Sequence, residues 1–254
     1  MIDTHAHLHS DAFTDDRNAV FERASAAGVT GILNVGCDMS DSERARITAR
    51  EFGGYASVGI HPHEAKAAPD DIAQAFAPFL ADDRIVAIGE TGLDYYYDHS
   101  PRENQHSVFR AQLAIARTTH LPLIFHQRDA YDDFIAILRE EWDPSMRGVI
   151  HCFTGNCEQA AIYTREFGLL LGIGGVYTFK TAQATRDAVA SVGLDAIVLE
   201  TDAPYLAPIP HRGKRNESSY ITHTAQRIAD ELHRSLDDVA AITTRNALSL
   251  FALD

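Results

Sequence analysis

With 254 residues and a formal net charge of −14, the chain can bury a large core but lacks the basic excess of a protein that grips long duplexes through counterion release. Its 45% hydrophobic and 23% charged content is that of an ordinary soluble globular protein, and no apolar run of about 18 residues is present to span a membrane. Three cysteines, Cys37, Cys152 and Cys157, cannot build a disulfide framework, so a reducing cytoplasm is the expected location.

The opening MIDTHAHLHSD is polar and rich in metal-binding side chains, so no signal peptide is expected there. Short apolar runs at residues 2–5, 31–35, 55–59, 85–89, 123–125, 148–150, 169–173 and 197–199 predict eight strands. Helical patterns fall between them, near 15–27, 40–52, 70–80, 101–119, 129–140, 157–166 and 180–192. Two more follow the last strand, near 219–234 and 236–250. Strands alternating with helices in this way predict an α/β chain folded as a (β/α)8 TIM barrel, slightly distorted, with an extra C-terminal helix. Runs such as IVAIG, LLLGIG and AIVLE are continuously apolar, as expected of strands covered on both faces.

An open doubly wound sheet would carry a glycine-rich turn after its first strand, and here that strand ends in HAHLH instead. The later GIGG, residues 172–175, lacks the dinucleotide spacing and is read as a tight turn beside a crowded site. No linker or repeat divides the chain, which is expected to be one domain over residues 1–254. The long irregular stretch 203–218 is expected to work at the active site.

The predicted strand ends carry the chemistry. His5 and His7 are two apart, which in extended backbone puts both imidazoles on one face. Asp3 shares that face and could orient a ligand from behind. Glu90 ends IVAIGE, and its two oxygens could bridge cations about 3.5–4 Å apart. His126 and His151 follow the fifth and sixth strands. Cys152, next in sequence, is expected to point away if residues 148–152 are extended. Asp202 follows IVLET and could both bind a cation and accept a proton from water. Glu200 could support it or help hold a third, weaker cation. The chemistry expected from two divalent cations at these groups is hydrolysis, of a phosphodiester or, alternatively, of a small amide, ester or lactone.

Outside these residues the pattern favours phosphate. His61 and His63 follow the third strand, Arg128 lies two positions past His126, and Arg212, Lys214 and Arg215 bring positive charge to the loop after the eighth strand. Tyr95, Tyr96, Tyr97 and Tyr205 are candidate surfaces for stacking a base.

Taken together, DTHAHL, GIHPH, GETGLDYY, HCFTG, ETDAPYLAP and RGKRN resemble the signatures of the TatD family of metal-dependent hydrolases, over nearly the whole chain. The resemblance implies that His5, His7, Glu90 and Asp202 hold one cation and Glu90, His126 and His151 a second. It also implies deoxyribonuclease activity, often as a 3′ to 5′ exonuclease at accessible DNA ends. Mg or Mn is the expected metal in function, and Zn an alternative occupant in crystals. A monomer with no organic cofactor and no membrane partner is expected. Gln127, Ala203 and Ser218 stand where the family more often has a small residue, serine and proline.

Overall fold

A computed structural model describes residues 1–253. The elements are β1 (Ile2–Ala6), α1 (Arg17–Ala26), β2 (Gly31–Asn34), α2 (Met39–Phe52), β3 (Tyr55–Val58), α3 (Ile72–Leu80), β4 (Ile85–Asp94) and α4 (Arg102–Thr119). After these come β5 (Leu123–Arg128), α5 (Tyr131–Glu141), β6 (Gly148–Ile150), α6 (Cys157–Ala161), β7 (Leu170–Ile173), α7 (Gln183–Val192), β8 (Ile197–Leu199), α8 (Ile221–Leu232) and α9 (Leu236–Phe251). The strands are neighbours in the order β1 to β8, and a parallel bridge from Ala6 to Ala203 brings the chain after β8 back beside β1. That order, with a helix after every strand, is the predicted (β/α)8 barrel. Here α9 is the extra C-terminal helix. Register shifts in the β1–β2, β3–β4 and β4–β5 pairs supply the expected distortion. No helix among the described residues is long and apolar enough to cross a membrane.

The chain divides into two compact units. The first holds residues 1–34 and 152–254. In it, β7 pairs with β8 through Leu171–Ile197 and Ile173–Leu199. Beyond β8 the backbone continues along β1: Asp202 N–H donates to His5 O at 2.8 Å, and His7 N–H donates to Ala203 O at 2.7 Å. Two main-chain bonds therefore fix Asp202 beside the HxH motif. The seventh strand ends in GIGG as a tight approach: a Cβ on Gly172 would lie 2.2 Å from a carboxylate oxygen of Glu200.

The second unit holds residues 35–151, with β3, β4, β5 and β6 packed under α2 to α5. Phe109 of α4 stacks on Phe134 of α5 at 5.1 Å, and Phe125 of β5 meets both rings edge-on. All three are fully buried, each worth about 1.5–3 kcal/mol of hydrophobic stabilisation. Because strand side chains alternate, burying Phe125 among the helices turns His126 to the opposite face.

Two expectations need correction. The fourth and fifth strands do not stop at residues 89 and 125: β4 runs to Asp94 and β5 to Arg128, paired through Gly92–His126 and Asp94–Arg128. A strand continues while its neighbour keeps supplying hydrogen bonds, even after the apolar run ends. The backbone after β6, in contrast, is not extended as far as Cys152. The strand ends at Ile150, and Cys152 takes a left-handed φ of 47°.

Candidate metal centre

Each unit carries its own cluster of metal-binding side chains. In the first, Nε2 of His5 lies 3.2 Å from Nε2 of His7. An Asp202 carboxylate oxygen is 3.8 Å from the former and 3.5 Å from the latter. Donors about 2.1 Å from one tetrahedral cation would stand about 3.4 Å from each other, so this triad has the spacing of a ligand set. Asp202 reaches it with a left-handed φ of 58°, a conformation uncommon outside glycine, asparagine and aspartate. Glu200 is buried, and one of its oxygens accepts the Cys152 N–H at 2.7 Å.

Asp3 lies behind this triad. Its oxygens accept hydrogen bonds from Thr201 N–H at 2.9 Å, Thr201 Oγ1 at 2.7 Å and Ser218 Oγ at 2.6 Å. A longer contact of 3.4 Å reaches the His5 backbone N–H. Burial outweighs these bonds and pushes the Asp3 carboxyl up to about 7. Asp3 ties β1 to the chain after β8.

In the second unit Glu90, His126 and Asp94 form a line. A Glu90 oxygen lies 2.8 Å from His126 Nδ1, and an Asp94 oxygen lies 2.9 Å from His126 Nε2. The register shift between Ile88 and Thr91 sets Glu90 in place for this contact. The same Asp94 oxygen is 2.9 Å from His63 Nε2, and the other accepts the N–H groups of Tyr96 and Tyr97. Burial acts to raise the Asp94 carboxyl, but the His126 hydrogen bond and the Tyr97 N–H hold it well below the ordinary carboxylate range. Burial likewise opposes charge on His126, and its bonds to Asp94 and Glu90 raise it nonetheless. Two buried carboxylates on one imidazole demand positive charge, which either imidazolium or a cation beside neutral His126 would supply. The donor set therefore fits a divalent cation, with His126 Nε2–H donating to Asp94 and Nδ1 turned toward Glu90.

His61 Nε2 is 3.6 Å from the same Glu90 oxygen. Its Nδ1, however, accepts the His63 backbone N–H at 3.1 Å. A neutral ring that accepts at Nδ1 carries its proton on Nε2. Burial, then neighbouring His126, hold His61 far below the ordinary imidazole range, so the ring is neutral. His61 thus presents a hydrogen-bond donor to the site rather than a lone pair. His151 follows β6, with its ring buried and its N–H donating to Phe125 O.

The other candidates separate into tethered and available groups. Tyr95 is tethered: its hydroxyl lies 2.5 Å from both Asp133 and His106, and Arg102 covers its ring. Tyr96 and Tyr97 are 57% and 50% exposed, with the Arg128 guanidinium 4.0 and 4.9 Å from their ring centres. Tyr205 is exposed and meets His7 edge-on. Arg215 makes a two-pronged ion pair with Asp16 and lies over Phe13. Arg212 lies over Phe179, and Lys214 is exposed. Asp94 is the residue the sequence reading missed. Its signal was the even spacing of Glu90, Gly92 and Asp94, which puts both carboxylates on one face once β4 is known to continue.

Comparison with known proteins places these features in a family. A family model described as TatD related DNase matches residues 2–252. The chain is 40% identical over 255 residues to the uncharacterized metal-dependent hydrolase YabD of Bacillus subtilis, covering all of both proteins. It is 36% identical over 261 residues to the 3′-5′ ssDNA/RNA exonuclease TatD of Erwinia amylovora, again covering all of both. Among solved structures, YJJV, a TatD homolog from Escherichia coli K12, superposes with a TM-score of 0.93 at 29% identity, over 100% of this chain and 98% of that one.

Proposed function

The chain belongs to the family of TatD-related DNases, which makes it a metal-dependent hydrolase, and we propose that it is a deoxyribonuclease acting 3′ to 5′ on single-stranded or frayed DNA ends. In this reading residues 1–254 act as one hydrolase domain that holds two divalent cations, Mg or Mn in function. His5, His7, Asp202 and Glu90 hold one, and Glu90, His126 and His151 the other. The cations supply Lewis acidity, which lowers the pKa of water and draws charge from phosphate oxygens.

This chain's own residues do the rest. Asp202 accepts the proton of the attacking water. His61 donates from Nε2 to a phosphate oxygen, a role supported by its fixed tautomer. Arg128, His63, Arg212 and Lys214 attract the phosphate backbone, and Tyr96, Tyr97 and Tyr205 offer faces or edges for unstacked bases. The observation that carries the choice of a nucleic acid is the exposed Tyr96–Tyr97–Arg128 group. It hangs from the same Asp94 carboxylate as His126, and a hydrolase of small neutral esters has no use for it. The three cysteines, which form no disulfide among the described residues, suit a cytoplasmic enzyme.

The test is a side-by-side assay of single-stranded DNA and a small neutral ester, with Mg, with Mn and with neither. The reading expects mononucleotides released from the 3′ end in the presence of metal. Turnover of the ester with DNA left intact would replace it with an esterase.

A further inference from the structure

A second cleft lies within the first unit, between the segment after β7, the loop after β8 and one side of α8. Its volume is about 380 Å³, and its walls include Phe179, Lys180, Ile209, His223, Arg227 and Asp230. One of its loops leaves the same strand as Asp202, and late loops of this barrel type are common phosphate sites.

The cleft is built rather than accidental. Thr178 Oγ1 accepts the Ile209 N–H at 2.9 Å and donates to Gly175 O at 2.7 Å, which ties one loop to the other. A Cβ on Gly175 would lie 2.2 Å from Leu206 O, so only glycine permits this approach. Arg186, buried beneath, donates to Phe179 O at 2.9 Å and Tyr177 O at 3.2 Å. On the far side of the loop, His211 stacks on Tyr220 at 3.9 Å and lies 3.2 Å from His223 through their Nε2 atoms. These contacts fix Phe179 and Ile209 before any ligand arrives.

Charge in the cleft is unevenly spent. Asp230 accepts from Gln226 at 2.8 Å, and Arg227 pairs with Glu231. Among the described residues Lys180 and Arg212 have no ion-pair partner, although the chain carries 36 acidic residues against 22 basic ones. The Arg212 guanidinium lies 4.4 Å from the Phe179 ring centre, held at the rim by stacking. Two unpaired cations beside a half-exposed aromatic ring and an exposed isoleucine match a phosphodiester with its neighbouring base or sugar.

We propose that this cleft is an accessory strand-binding subsite, which takes a phosphate and adjoining nucleoside of single-stranded nucleic acid away from the scissile bond. The proposal rests on the nuclease reading and names the part of the substrate that this second surface holds. Lys180 and Arg212 contact phosphate oxygens, and Phe179 with Ile209 packs against the nucleoside. The subsite matters only to substrates long enough to reach it.

The experiment compares steady-state hydrolysis of an oligothymidylate of about a dozen nucleotides with that of the p-nitrophenyl ester of thymidine 5′-phosphate. Both substrates are tested on the metal-loaded full chain and on its Phe179→Ala and Lys180→Ala variants. Phe179→Ala is expected to lower the ratio of oligonucleotide to ester kcat/KM about tenfold, through KM. Lys180→Ala is expected to flatten the dependence of log KM on log salt by about 0.7, the share of one phosphate contact on a single strand. Lys180 is exposed, so its variant also guards against loss of folding. If wild type degrades the oligonucleotide and neither the ratio nor the slope moves, the subsite is wrong and the nuclease reading stands. If wild type hydrolyses the ester and leaves the oligonucleotide intact, the nuclease reading fails and the subsite with it.

Discussion

Asp94 and His126 are joined by a 2.9 Å contact between a carboxylate oxygen and Nε2, and this contact fixes which nitrogen of His126 is available. With Nε2–H donating to Asp94, a cation beside Glu90 would be met by the Nδ1 lone pair, whereas without one Nδ1–H also donates to Glu90. Asp94 is held in turn, since Gln105 bonds both its backbone N–H and its carbonyl oxygen. One side chain therefore orients a candidate ligand through one oxygen and the Tyr96–Tyr97 turn through the other.

Replacing Asp94 by asparagine tests this relationship. An amide can keep one oxygen on the turn, but it then presents N–H to His126 and forces the other tautomer, with Nδ1 protonated. Affinity for Mn at the Glu90–His126 ligands is expected to fall about 10–100-fold. Calorimetric titration would measure it, with a melting curve of the metal-free protein as a control for folding. Wild-type affinity in Asp94→Asn would remove Asp94 from the metal centre.

Asp202→Asn should separate proton transfer from binding. An asparagine at the left-handed φ is tolerated, and its oxygen can still face His5 and His7. The amide is a far weaker base, so kcat is expected to drop about 10²–10⁴-fold. Metal occupancy must be read on the same samples, because a carboxylate ligand is also lost. Full turnover at full occupancy would assign the proton to another group.

Chelation should abolish hydrolysis, and Mg or Mn should restore it. Binding to the folded state alone should also raise the melting temperature, by an amount equivalent to about 2.7 kcal/mol at 100 times Kd. Scanning calorimetry with and without Mn checks this independently of any substrate. Activity that survives complete metal removal would end the metal-dependent reading.

Acid should loosen the loop after β8. The two-pronged Arg215 bond is the main force holding the Asp16 carboxyl down to about 2, with help from Arg23. A depressed carboxyl stabilises the fold above its ordinary value of 3.8 and loses that contribution as pH falls through about 2. Asp16 is only half-buried, so solvent screening keeps the effect small and local. Asp16→Asn at neutral pH should reproduce the loosening, seen as faster amide exchange over residues 211–217. Unchanged exchange in this variant would show that the Arg23–Glu217 pair and the Asn216 bonds to Thr201 and Tyr205 anchor the loop without Asp16.

The sequence by itself determined the barrel and pointed to the groups proposed as metal ligands. Eight apolar runs alternating with helical patterns encode local geometry, and HxH encodes its own shared face, because backbone periodicity acts over a few residues. Tertiary structure decided what depends on distant partners. Whether β4 stops at Gly89 or carries Asp94 into the site was set by its register against β5. Arg215 reads as a phosphate contact in sequence, yet its guanidinium is bound to Asp16, 199 positions away. The proton on His61 was likewise fixed by the His63 backbone. A side chain's identity states what it can bond to. Only the folded chain brings up the partner, and with it the choice among donor, ligand and tether.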